Sequence, residues 1–182
     1  MQIESKRLII RQSIIDDCAL FARWEEMEEV NRWFTMDHDK SYNLVVQEFI
    51  LRNVEKDMLQ FTIVLKETEE PIGRIWISQI NDHYDSLDLS RIYIADPAMR
   101  GHGYGEEALR TILEYCFIRL HRERVTLDHI PDNEVAANLY TKLGFQYEGV
   151  ARHAGKKDGR YVDLKQMSML RSEYAKMSRE GE

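Results

Sequence analysis

A chain of 182 residues, 43% hydrophobic and 31% charged, suffices for one well-packed domain and is short for two. Its formal net charge of −7 lacks the basic face that phosphate-neutralising nucleic-acid binding needs, and no apolar run approaches membrane-spanning length. Cys18 and Cys116 lie far apart and outside any C-x-x-C pattern, which argues against a disulfide framework or zinc site; with no apolar N-terminal segment, the chain reads as cytoplasmic.

Residues 7–11 are short and aliphatic and read as a strand, and Asp16-Asp17 then signals helical segments through residues 16–34. Residues 41–56 are helix-like, with Ser41 as N-cap. Residues 60–65 and 71–80 read as strands joined by the polar turn 66–70, and residues 87–94 as the next strand after a polar loop. The strongest helix follows a glycine-rich stretch: Leu109, Ile112, Leu113, Cys116, Phe117 and Leu120 recur at three- and four-residue steps and share one face. Residues 124–130 form a strand and 133–143 a helix stopped by Gly144. Residues 145–154 and 161–170 form two strands around the turn 157–159, and a charged, frayed tail covers 171–182. No linker or repeat divides this order, so residues 1–182 are expected to form one α/β domain, a mixed sheet with helices on both faces.

The chemistry concentrates in Arg100-Gly101-His102-Gly103-Tyr104-Gly105, between a strand and the amphipathic helix. Three alternating glycines remove Cβ atoms, so successive backbone N–H groups can face one concavity. The helix adds unsatisfied donors and the positive end of its dipole, a combination suited to a di-anion, to which Arg100 and His102 can add contacts. The dinucleotide fingerprint fails at Glu106, where its third glycine would stand, and no Gly-Lys-Ser/Thr closes a P-loop. What remains, R-x-x-G-x-G, resembles the loop that wraps the coenzyme A pyrophosphate in GNAT acetyltransferases. The segment from Asn133 to Phe145 independently resembles that superfamily's N-x-x-A-x-x-L-Y-x-K-L-G-F pattern at every fixed position. The opening residues 7–17, with Trp24-Glu25 and Glu29-Val30, are similar to the branch containing ribosomal-protein N-terminal acetyltransferases.

The resemblance implies a central, mostly antiparallel sheet of six to seven strands and an acetyl-CoA-dependent N-acetyltransferase, with direct attack by an amine on the thioester. It implies that backbone groups of Ile92, Tyr93 and Ile94 pair with the pantetheine arm, that 100–105 cradle the pyrophosphate, and that Asn133 and Asn138 help hold the cofactor. Tyr140 matches the tyrosine set beside the departing sulfur. Many relatives carry a glutamate on the central strand, where this chain has Ser90; Asp88, two residues earlier on the same strand face, is the candidate base, with His129 as another. The expected acceptor is the α-amine of a protein, peptide or small molecule. A polyamine or aminoglycoside acceptor is the alternative, favoured by the acidic residues Glu25, Glu26, Glu28, Glu29, Asp37, Asp39, Asp82 and Asp85. A non-catalytic acyl-CoA-binding module is a third reading, against which Tyr140 argues. Trp24, Trp33 and Phe34 suggest an exposed aromatic patch, a candidate homodimer surface.

Overall fold

The structure, a computed structural model, describes residues 1–35 and 41–180. Asp37 and Asp39 lie outside the described residues. Eight strands form one sheet in the order β1-β2-β3-β4-β5-β6-β8-β7, with β1 Gln2–Glu4, β2 Leu8–Gln12, β3 Leu59–Leu65, β4 Pro71–Asn81, β5 Ser86–Ile94, β6 Arg124–His129, β7 Gln146–Lys157 and β8 Arg160–Leu170. Every pairing is antiparallel except β5 with β6. The helices are α1 Cys18–Glu26, α2 Glu28–Asn31, α3 Tyr42–Val54, α4 Tyr104–Glu114, α5 Glu134–Lys142 and α6 Arg171–Glu180.

Period-two alternation along the strands builds two cores. On one face Leu8, Ile10, Phe61, Ile63, Ile75 and Ile77 meet the apolar stripe of α4, whose Leu109, Ile112 and Leu113 are fully buried. On the other face Cys18, Phe21 and Trp24 of α1 and Val45 and Phe49 of α3 pack with Tyr93. Both cysteines are buried and unpaired, and burial pushes the Cys116 thiol up to about 12.

The count of eight strands corrects the expected six to seven: β1 is three residues long and is recognisable only through its pairing with β2. The expected frayed tail is a helix through Glu180, and Tyr174 stacks on Phe117 with ring centroids 4.9 Å apart. The helix expected to reach Leu120 opens into a π turn at Tyr115–Arg119. The aromatic surface patch does not form. Trp24 is buried in the second core, and Phe34 packs edge-on against Tyr93.

A bulge in β5 orients the site. Between the pairs Trp76↔Arg91 and Ser78↔Asp88, β4 advances two residues while β5 advances three. The extra residue reverses the alternation, so Leu87, Leu89 and Ile94 face one core while Tyr93 faces the other. Gly73, paired with Ile94, allows the close approach: a Cβ there would fall on the Tyr93 carbonyl oxygen. Gly73→Ala is therefore expected to destabilise the fold by about 1–3 kcal/mol. An unchanged urea midpoint would contradict this close approach.

Candidate active site

β5 and β6 pair through only three residues, ending at Asp88↔Thr126. Beyond that point β5 stays on β4 and β6 on β8, so the two strands part. The gap opens into a cavity of about 550 Å³. Among the described residues, one edge of β5 from Leu89 to Ile94 is thus left without a strand partner, an edge to which an extended group can add as a strand.

The glycine loop closes one end of this cleft. Gly101 and Gly103 hold φ of +79° and +80°, a left-handed conformation that side chains rarely adopt. Gly103 is the N-cap of α4 and supplies no side-chain acceptor, and the helical ladder begins with Glu107 N–H donating to the Gly103 carbonyl at 3.0 Å. By contrast, Ser41 caps α3 and Asn133 caps α5 through their side chains. The first-turn amides of α4 therefore remain free of a side-chain cap beside the cleft, as a bound pyrophosphate requires. The residues present fit coenzyme A. Arg7 braces the loop: its Nη1 donates to the His102 carbonyl at 2.9 Å, its Nε to Glu107 at 2.6 Å, and its guanidinium lies 4.4 Å from the Tyr104 ring centroid.

Of the residues expected at the cofactor site, Ile92, Tyr93, Ile94, Arg100, Gly101, Gly103, Tyr104, Gly105, Asn133 and Tyr140 line the cleft. His102 and Asn138 do not; both are exposed, and His102 Nδ1 lies 3.0 Å from the Arg100 carbonyl. Arg100 donates to the Ile94 and Ala95 carbonyls, each at 3.2 Å, and so ties the loop to the end of β5. The Tyr93 side chain points to the second core, so its share of the cleft belongs to the backbone side of the strand.

Tyr140 is buried between His129 and Phe145, with centroids 6.1 and 5.9 Å away. Burial, and secondarily Asp128, raises its phenol well above the usual tyrosine range. Asp88 is placed behind the cleft wall: it accepts from Ser90 at 2.7 Å and from Thr126 at 2.8 Å. Asp128 stands in the cleft, two residues beyond Thr126 on the same face of β6. It retains contact with solvent, yet the walls remove enough water to raise its pKa to about 6, with Asp88 adding repulsion. The sequence reading missed Asp128, because nothing local marks the point where β5 and β6 separate.

The acceptor half of the cleft holds Glu29, Val30, Trp33 and Phe34 beside Ser90 and Arg91. Glu25, counted among the surface acids from the sequence, is instead nearly enclosed. Its Oε1 accepts from Arg74 at 2.6 Å, from Arg91 at 2.8 Å and from the Tyr93 hydroxyl at 3.1 Å. Burial opposes its ionisation, but the two guanidiniums win and hold its pKa below the usual carboxylate range.

Comparisons with known proteins agree with this geometry. A family model described as an acetyltransferase (GNAT) domain matches residues 7–146. The uncharacterized N-acetyltransferase p20 of Bacillus licheniformis is 26% identical, over 94% of this chain and 97% of its own. The spermidine N(1)-acetyltransferase of Vibrio cholerae is 27% identical over 80% of this chain and 82% of its own. A structure of spermidine N-acetyltransferase from Vibrio cholerae, in complex with CoA and spermine, superposes with a TM-score of 0.85 at 22% identity, covering 94% of this chain and 99% of that one. The chain belongs to the GNAT acetyltransferase family and is an N-acetyltransferase that uses acetyl-CoA.

Proposed function

We propose that the enzyme acetylates an α-amine, with Asp128 rather than Asp88 as the proton acceptor and Tyr140 as the donor beside the leaving sulfur. The observation that supports the reading is that Asp128 and Tyr140 both line the cleft where β5 and β6 part. Acetyl-CoA would supply an activated acetyl thioester, and the amides of the 101–106 segment and the free edge of β5 would hold it. An attacking amine must first lose a proton. Passing it to an acid of pKa about 6 is uphill by about 3 kcal/mol from an α-amine near 8, and by about 6 from a lysine-like amine near 10.4. The cleft is thus matched to the weaker base. Tyr140, with its pKa raised, keeps its proton and acts chiefly as a hydrogen-bond donor to developing charge on sulfur. The two buried free thiols agree with work in a reducing compartment such as the cytoplasm.

The relatives named for spermidine support a second reading, a polyamine acceptor. Against it, Glu25 is already ion-paired with Arg74 and Arg91, leaving Glu29 as the acidic group of the 25–29 run in the cleft wall.

If Asp128 accepts the proton, kcat/KM rises with pH through a limb near 6, where the folded group ionises. Asp128→Asn should lose that limb and at least tenfold in kcat/KM. Because the folded pKa lies above the usual carboxylate value, ionisation above pH 6 opposes folding, so the asparagine variant should melt no lower than wild type at pH 7.5. Retention of the limb in that variant excludes the role.

A further inference from the structure

We propose that Arg91 forms an anion site on the acceptor half of the cleft, so that the amine acetylated carries a carboxylate. This rests on the α-amine reading and names the substrate class.

Three guanidiniums gather around Trp76, those of Arg52, Arg91 and Arg74 standing 3.8, 4.9 and 5.8 Å from its ring centroid. Glu25 is the carboxylate paired with both Arg74 and Arg91, whose side chains are only 5% and 12% exposed. Glu48, near Arg52, lies 3.7 Å from it. Two enclosed cations thus share one anion, and Tyr93 takes part of that anion's accepting capacity. An enclosed charge in excess calls for a partner.

The excess falls on Arg91. Arg74, whose Nε is enclosed and unpartnered like that of Arg91, spends Nη1 on Glu25 and Nη2 on Gln60 Oε1 at 2.6 Å, and it does not line the cleft. Arg91 spends Nη1 on Glu25, and among the described residues its Nη2 meets no acceptor; its Nε is enclosed and unpartnered. Arg91 lines the cleft beside Phe34, whose ring lies 5.5 Å from the guanidinium. A guanidinium oriented by a buried carboxylate and flanked by an aromatic ring is preorganised for a second carboxylate.

The opposite sign lines the same cleft, where Asp128 and Glu29 suit an ammonium group. The last β5–β6 pair is Asp88↔Thr126; Arg91 follows it by three residues on β5 and Asp128 by two on β6, so the cation and the carboxylate flank the opening from the two parting strands. The class that fits is a compact zwitterion, an amino acid or a short amino-carboxylate. A linear polycation has nothing to offer Arg91.

The test measures thiol release from acetyl-CoA with the twenty L-amino acids, their carboxamides and spermidine, together with calorimetric binding of the same amino acids to the CoA-loaded protein. The expected result is at least one amino acid with kcat/KM about 100-fold above its carboxamide and above spermidine. Arg91→Gln should raise KM for that acid by about 30-fold or more while changing KM for acetyl-CoA less than threefold, and Arg91→Lys should recover part of the loss. Thermal melts confirm that both variants fold, and the lysine variant keeps a partner for Glu25 if the glutamine variant does not. Carboxamides or spermidine used as well as the acids overturn the inference while leaving the acetyltransferase reading intact. So does failure of every amino acid to bind the CoA-loaded protein. Failure to bind acetyl-CoA at all instead overturns the cofactor site on which both rest.

Discussion

Tyr140→Phe is expected to lower kcat by about 10²-fold or more while leaving coenzyme A affinity and thermal stability nearly unchanged. The substitution removes one hydroxyl from a ring packed between His129 and Phe145, so the packing survives. Under the proposed role, what is lost is a hydroxyl held protonated by burial in the wall of the cleft. Such a donor acts on charge that exists only in the transition state, so the loss falls on kcat more than on KM. Steady-state kinetics with a calorimetric measurement of coenzyme A binding separates the two. An unchanged kcat, with the chemical step shown to limit turnover, would falsify the donor role.

Gly103→Val should act on the other half of the reaction, weakening coenzyme A binding by roughly 10²-fold. Gly103 sits at φ +80° as the uncapped N-cap of α4, and a β-branched residue there carries strain of about 1–2 kcal/mol. Its Cβ would stand 3.4 Å from Arg7 Nη2, an ordinary contact, so the strain is that of the backbone. The loop relieves it by rotating, which turns its amides away from the phosphate; two charge-assisted hydrogen bonds at about 1.5 kcal/mol each account for the factor. The strain is small against the stability of a domain this size, so the variant should fold. Wild-type affinity in a folded variant would remove the loop from the cofactor site.

How much of this was legible in the sequence depended on how local the cause is. The apolar stripe from Leu109 to Phe117 and the N-cap Ser41 follow from residues a few positions apart and are legible in the sequence, whereas the capping role of Asn133 emerges only from the fold. The loop between Arg100 and Gly105 was legible for the same reason, since glycine spacing controls backbone conformation directly. Glu25 was misread because its state depends on Arg74 and Arg91, 49 and 66 residues away, and a glutamate on a helix otherwise looks solvated. Asp88 is suggested by strand alternation, which is visible in sequence, whereas Asp128 goes unmarked because the end of a parallel pairing is not. The β5 bulge was hidden likewise, since it is defined only against β4. β1 and α6 have weak local signals and are held by tertiary contacts, β1 by β2 and α6 through Tyr174 on Phe117.

The most direct test of the central claim compares kcat/KM for α-amino compounds, free amino acids and short peptides with free N-termini, with that for spermidine, using acetyl-CoA across pH 6–9. Turnover with an α-amine should exceed that with spermidine throughout. The ratio should be greatest at the acid end of the range and shrink towards pH 9, where the α-amine is already mostly neutral while a lysine-like amine is still losing its proton. A spermidine value far above every α-amine, collapsing when Glu29 is changed to glutamine, would contradict it and make the cleft a polyamine site.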